Sequence, residues 1–195
     1  MIEPKATLSL EEVARRLDRA GVVWAVFAGA AAAVYGATRP LTDVDILIPA
    51  VEGERVAALF PEAQVHRGED GAVRGLRLPG FDLVAGLVMR DADAIYTVGL
   101  DAQMAARLTR HEIAGVTVPV ISPEDNILLK AIWGRGPEEG KHDWEDVEAM
   151  IAHLPVLDWE YLRWRASACG SRQPVQQALN RLEALRRLAG TGRTS

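Results

Sequence analysis

The chain has 195 residues, 49% of them hydrophobic and 25% charged, with a formal net charge of −5; this excludes a disordered chain and fits one core, or a domain with a smaller helical annex. The charge is uneven: residues 1–160 carry 15 Lys and Arg against 26 Asp and Glu, whereas residues 161–195 carry seven Arg against one Glu. The acidic bulk repels nucleic acid, and only the C-terminal segment favours RNA or an acidic partner protein, unless it is simply a solvated helix face. The longest apolar stretch, Gly21 to Gly36, is broken by small residues and is shorter than the ~20 residues of a membrane span. The N-terminal MIEPKATLSLEE lacks a signal-peptide pattern, so a cytoplasmic location without a membrane partner is expected. The single cysteine, Cys169, cannot form an internal disulfide and reads as a packed residue.

In chain order, Ser9 followed by Glu12 is a capping-box signal for a helix from Leu10 to Ala20 that ends at Gly21. Val22 to Ala28 reads as a buried strand broken by Gly29, and Ala30 to Tyr35 as a short helix that stops at Gly36. After the Arg39-Pro40 turn comes the strand DVDILI, Asp43 to Ile48, then a helix from Glu52 to Leu59. Val73 to Leu78 and Phe81 to Leu87 read as strands joined at Pro79-Gly80, and Leu108 to Ile121 as a hairpin turning near Ala114-Gly115. Ser122-Pro123 supplies an N-cap and a first-turn proline for a helix through Trp133. The loop Gly134 to Gly140 follows, and then helices over Asp143–His153, Asp158–Ala168 and Pro174–Leu188. Strands mixed with helices first and helices afterwards predict an α+β domain over residues 1–121 and a helical annex over 122–195.

Within this frame Asp43 and Asp45 raise a chemical question. Residues i and i+2 of a strand share a face, so the two carboxylates stand side by side and call for a positive charge between them. A divalent ion held by one or two carboxylates, with water and phosphate completing its shell, meets that need, and a third carboxylate makes room for two ions. Asp82, flanked by Phe81 and Leu83, is the candidate third ligand, because an unpaired charge in an apolar strand is costly. A plainer reading has Asp43 capping a turn with Thr42, and Asp45 and Asp82 paired with Arg39 or Lys130.

The constellation Gly29, Tyr35, Gly36, Arg39, Asp43, Asp45 and Asp82 resembles the nucleotidyltransferase superfamily, which includes DNA polymerase beta, aminoglycoside nucleotidyltransferases and bacterial minimal nucleotidyltransferases. Lys130, Lys141, Asp143 and Asp146 are similar to the rear helical motif of its abortive-infection toxin subgroup. The resemblance implies a mixed β-sheet with flanking helices and a C-terminal helical region. It also implies Mg²⁺ or Mn²⁺ on Asp43, Asp45 and Asp82, with Asp82 as the candidate base, and an NTP as substrate. Gly29 and Ala30 would offer backbone N–H groups to the triphosphate, and Arg39 and Lys130 would neutralise phosphate oxygens. For Lys130 the competing role is a structural ion pair, and for Asp143, which the resemblance places at the nucleotide, a helix cap. Ala30 departs from the family's usual serine or glycine and removes one hydroxyl from the phosphate site.

The four histidines lack metal-ligand spacing, and Trp133, Trp144, Trp159 and Trp164 read as core residues of the helical half. The expected function is transfer of a nucleoside monophosphate to an acceptor hydroxyl on RNA (a tRNA end included), a protein or a small molecule, with release of pyrophosphate. The alternative is a catalytically weak or inactive, antitoxin-like partner-binding module, for which Ala30 speaks.

Overall fold

The computed structural model describes residues 8–91, 94–169 and 173–191. It divides into one unit built from residues up to 26 together with 42–120, and another built from residues 27–41 and 121 onward. The helical unit therefore takes in residues 27–41, which the sequence reading placed in the α+β region.

In the first unit, α1 (Leu10–Arg19) begins as the capping signal predicts, with the Ser9 hydroxyl accepting from the Glu12 amide at 3.2 Å. The Glu12 carboxylate accepts from Arg15 and Arg16 on its own helix. The chain then forms β1 (Ala25–Phe27), shorter than the seven-residue strand expected. The strand β2 (Val44–Leu47) carries the apolar run: Ile46, Leu47 and Ile48 are fully buried. A single 3₁₀ turn leads into α3 (Gly53–Leu59).

Two departures from the expected strands follow. The strand β3 (Gln64–Arg67) is fully exposed and polar, so it carries no alternation a sequence reading could detect; it sits at the sheet edge, where charge and exposure discourage further pairing. The antiparallel neighbours β4 (Val73–Leu78) and β5 (Phe81–Val84) are joined at Pro79-Gly80 as predicted, but the expected strand to Leu87 is two. The chain leaves the main sheet after Val84 and starts β6 (Leu87–Asp91), which pairs with β7 (Ala94–Val98) in a separate ribbon. A short helix, α4 (Ala102–Ala106), is capped by Asp101. The predicted hairpin appears as β8 (Thr109–Ile113) and β9 (Val116–Val120).

The main sheet has the order β3-β4-β5-β2-β1-β9-β8. It is mixed: β2/β5 and β1/β9 are parallel, while β3/β4, β4/β5 and β8/β9 are antiparallel. The fold is thus the mixed sheet with flanking helices that the resemblance implied, with helices following.

The second unit comprises α2 (Ala28–Val34), α5 (Pro123–Trp133), α6 (Asp143–His153), α7 (Trp159–Ala168) and α8 (Gln173–Thr191). Ser122 caps α5, its hydroxyl accepting from the Asp125 amide at 3.1 Å. Residues 124 to 132 of α5 are all buried, so this helix forms the axis on which α2, α6, α7 and α8 pack. A helix buried all round needs no amphipathic stripe, but its polar residues need partners. Glu124 accepts from the Asp158 amide at 2.8 Å. Asp125, 1% exposed, accepts from Arg165 Nε, the Tyr161 hydroxyl and the Ser122 hydroxyl.

The helical tryptophans correct an expectation. Trp133, Trp144 and Trp159 are half-buried and Trp164 is 47% exposed, so none is a full core residue. Arginines cover three of them: Arg135 lies 4.4 Å from the Trp133 ring, Arg181 3.8 Å from Trp144 and Arg186 5.1 Å from Trp159. Among the described residues no helix is long and apolar enough to cross a membrane.

Replacing Arg165 with Met is expected to destabilise the protein by about 3–5 kcal/mol, since it leaves the buried Asp125 carboxylate without its cation. Burial already pushes this carboxyl above its ordinary value. The folded state therefore binds the proton more readily than the unfolded chain, and the stability contribution rises as pH falls through the raised value. Urea denaturation across pH should show the largest deficit of Arg165→Met at neutral pH and a narrowing deficit in acid.

Candidate functional site

In the sheet unit, strand register assembles three carboxylates. The parallel pairing of β2 with β5 sets Asp45 opposite Asp82, and Asp43 lies one residue before β2. One ligand oxygen from each of Asp43, Asp45 and Asp82 lies within 4.8 Å of the others. Asp43 is exposed and also accepts from the Thr42 hydroxyl at 3.2 Å; Asp45 and Asp82 are half-buried.

The cation beside Asp82 is one that the sequence reading did not single out. Antiparallel pairing of β4 with β5 sets Arg77 opposite Asp82. Arg77 Nε donates to Oδ1 at 2.9 Å and Nη2 to Oδ2 at 3.1 Å, a two-pronged pair. This bond, with the field of Asp43 and Asp45, raises the guanidinium further above its ordinary value. A cavity of about 370 Å³ opens here, lined by Thr42, Asp43, Arg77, Gly80, Phe81 and Asp82 among others. The expected salt-bridge partners, Arg39 and Lys130, bind other carboxylates, Asp146 and Asp143.

The donor set fits a hard divalent ion. Three carboxylate oxygens are the ligand type Mg²⁺ and Mn²⁺ prefer, and metal–oxygen bonds of about 2.1 Å place ligands up to about 4.2 Å apart. One oxygen from each of the three carboxylates lies within 4.8 Å of the others, close to that spacing.

In the helical unit, the turn expected at Gly29 lies one residue earlier. Ala28 has φ of 54°, and α2 begins there, so Gly29 and Ala30 are both buried inside the first turn of the helix. A left-handed alanine is strained and persists only when its surroundings hold it. The holder is Asn126 on α5, fully buried, whose Oδ1 accepts from the Ala28 amide at 2.8 Å and whose Nδ2 donates to the Ala28 carbonyl at 3.1 Å. A Cβ at Gly29 would lie 2.7 Å from Nη2 of Arg39, so a larger residue there would push the guanidinium aside. Gly36, with φ of 113°, is required on two counts, because a Cβ there would also lie 2.4 Å from the His153 Cβ. Tyr35 donates its hydroxyl to the Ile121 carbonyl at 2.7 Å.

Arg39 is anchored by a chain of charges. Its Nε donates to Asp146 at 3.0 Å; Lys130 Nζ lies 2.8 Å from Asp146 and 3.1 Å from Asp143; and Arg135 Nε lies 2.9 Å from Asp143. Lys130, Asp143 and Asp146 are almost wholly inaccessible, whereas the Arg39 side chain is 34% exposed. Lys130 makes the ion pair that was its competing role, with Asp143 and Asp146; the Asp143 carboxylate turns to Lys130 and Arg135, and the residue at the cap position of α6 is His142. Asp143 is the first residue of α6, and its carboxylate also accepts from the Arg135 backbone amide in the preceding loop.

Arg77 and Asn126 are the residues that sequence reasoning missed. Asn126 left a faint signal, as a polar residue inside the apolar helix run NILLKAIW. Replacing Asn126 with Leu leaves both backbone groups of Ala28 without these partners and is expected to cost about 2–6 kcal/mol, at about 1–3 kcal/mol for each orphaned group, read as a lowered denaturation midpoint.

No curated protein matches the chain by sequence. An antigenic nucleotidyltransferase-like protein from Paracoccidioides brasiliensis is similar in structure, with a TM-score of 0.50 and 20% identity over 95% of this chain and 94% of that one. The antibiotic-resistance factor ANT(2″)-Ia is similar with a TM-score of 0.51 and 14% identity over 94% of this chain and 92% of that one. At such identities the likeness shows a shared fold. The family described as "Uncharacterised nucleotidyltransferase" matches residues 4–186, nearly the whole length, and the chain belongs to that nucleotidyltransferase family.

Proposed function

We propose that this protein is a divalent-metal-dependent enzyme that transfers a nucleoside monophosphate from an NTP to an acceptor hydroxyl. The observation that carries the proposal is the convergence of Asp43, Asp45 and Asp82 within 4.8 Å on neighbouring strands. These three side chains would hold Mg²⁺ or Mn²⁺, which when bound neutralises triphosphate charge and acidifies the acceptor hydroxyl. The acceptor oxygen bonds to the α-phosphorus, the bond from that phosphorus to the α,β-bridging oxygen breaks, and pyrophosphate departs. Asp82 takes the hydroxyl proton.

The nucleotide is assigned to Gly29, Ala30 and Arg39 on the strength of the family resemblance, which also places Asp143 there; buried and paired with Lys130 and Arg135, Asp143 would act only by holding the charge chain that anchors Arg39. Ala30 offers its backbone N–H alone, so the phosphate contact lacks one hydroxyl bond, worth on the order of 1.5–3 kcal/mol to a charged group. Arg39 contacts phosphate directly. Lys130, with its ammonium between Asp143 and Asp146, supports Arg39 through Asp146.

For the acceptor, the arginines bear on the choice. Arg165, Arg181 and Arg186 are each engaged within the helical unit, by Asp125, by Trp144 and by Trp159. That engagement weakens the charge argument for RNA, and RNA, a protein side chain and a small hydroxylated molecule are all acceptor classes for the test.

The test is transfer of label from each α-labelled NTP, with Mg²⁺ or Mn²⁺, to total protein, small-molecule extract and bulk RNA. Asp43→Ala/Asp45→Ala should lower transfer by about a thousandfold or more, given the several kcal/mol a metal contributes to the transition state. Labelling that survives in this double variant would refute the assignment. Absence of labelling, with no rise in melting temperature on adding Mg²⁺ and NTP, would favour the partner-binding alternative; a bound ligand at about 100 times its Kd adds about 2.7 kcal/mol of stability.

A further inference from the structure

We propose that Arg77 is a built-in counter-ion that competes with the divalent ion for Asp82, and so sets how tightly the carboxylate site takes metal. The inference rests on the metal-dependent reading above and adds a residue to it that the family motifs do not contain.

The pairing is set by the sheet. Asp82 on β5 has Asp45 opposite it on one side and Arg77 opposite it on the other, because β5 lies between β2 and β4 in the sheet. Arg77 is therefore held at the site by backbone register. Its guanidinium engages both Asp82 oxygens, at 2.9 and 3.1 Å, and so covers the lone pairs that a metal would use. With the guanidinium in place, Asp82 is a poorer ligand, and repulsion among the three carboxylates is partly offset.

The same contact is built to be released. The Arg77 side chain is 64% exposed and flanks the open cavity beside Asp43 and Asp82, so the guanidinium has solvent to move into. An exposed ion pair is weak and screened by salt, whereas a divalent ion on three carboxylates carries twice the charge at shorter distance. Metal thus displaces the arginine. Arg77 weakens metal binding by a modest factor, and in the absence of metal it keeps three clustered carboxylates from destabilising the strand edges.

The experiment is Mn²⁺ titration of the full-length protein at low ionic strength, followed by the electron paramagnetic resonance signal of free Mn²⁺, for wild type, Arg77→Gln, Arg77→Lys and Asp45→Ala. Arg77→Gln should bind Mn²⁺ about threefold to tenfold more tightly than wild type, with the gap closing as salt is raised. Arg77→Lys, which keeps the charge without the fork, should fall between the two. Equal or weaker binding in Arg77→Gln, in a protein whose wild-type site binds Mn²⁺ and loses it in Asp45→Ala, would overturn the role of Arg77 alone. A wild type whose Mn²⁺ binding is unchanged in Asp45→Ala would overturn the metal-site reading, and this proposal with it.

Discussion

The helical unit depends on satisfying the polar groups of one buried helix. Within seven residues α5 presents Glu124, Asp125, Asn126 and Lys130, all buried. Three segments satisfy them: α7 and its cap supply the amide of Asp158 for Glu124 and Arg165 and Tyr161 for Asp125, the backbone of Ala28 meets Asn126, and Asp143 and Asp146 on α6 meet Lys130. Buried polar groups without partners cost several kcal/mol, so these bonds select the arrangement of α2, α6 and α7 around α5 more strictly than apolar contact alone. Two of the four reach residues of the proposed nucleotide site, since Asn126 holds the turn that starts α2, and Lys130, through Asp146, anchors Arg39.

In the sheet unit the corresponding constraint is register. Asp45, Asp82 and Arg77 come from three strands, and the register of the parallel β2/β5 pair and of the antiparallel β4/β5 pair sets each opposite the next. A slip of one residue in either pairing would turn a side chain to the other face and disperse the cluster. The fully buried Ile46, Leu47 and Ile48 in and just after β2, and Leu83 on β5, hold that register, so the apolar core and the acidic site are consequences of the same alignment. The site concentrates negative charge, and the structure balances it locally with an exposed arginine on Asp82.

The basic C-terminal segment illustrates the difference between charge as composition and charge as structure. Seven arginines in 35 residues suggest an anionic partner. Arg165 is buried against a carboxylate, and Arg181 and Arg186 lie over tryptophan rings, so a good part of that charge is consumed in holding the helices together.

Caps and periodicity are local, and they were legible. Ser9, Ser122-Pro123 and the apolar spacing of the later helices located α1, α5, α6, α7 and α8 to within a few residues, because a helix satisfies its backbone within its own segment. The same-face Asp43 and Asp45, and the cost of a charge at Asp82, likewise followed from strand geometry. The exposed strand β3 escaped notice because its pairing, not its composition, makes it a strand, whereas β7, with Ile95, Tyr96, Thr97 and Val98, carried a strand composition that the sequence reading passed over. Tertiary packing also decided the rest: that Arg77 meets Asp82, that Lys130 goes to Asp143 and Asp146, and that the strand-to-helix turn expected at Gly29 falls on a left-handed Ala28. The sequence by itself determined which residues carry charge, cap helices and line one face of a strand. Only the tertiary structure decided which of those charges meet, because a side chain's partner across a sheet or between helices is set by the packing of segments far apart in the chain.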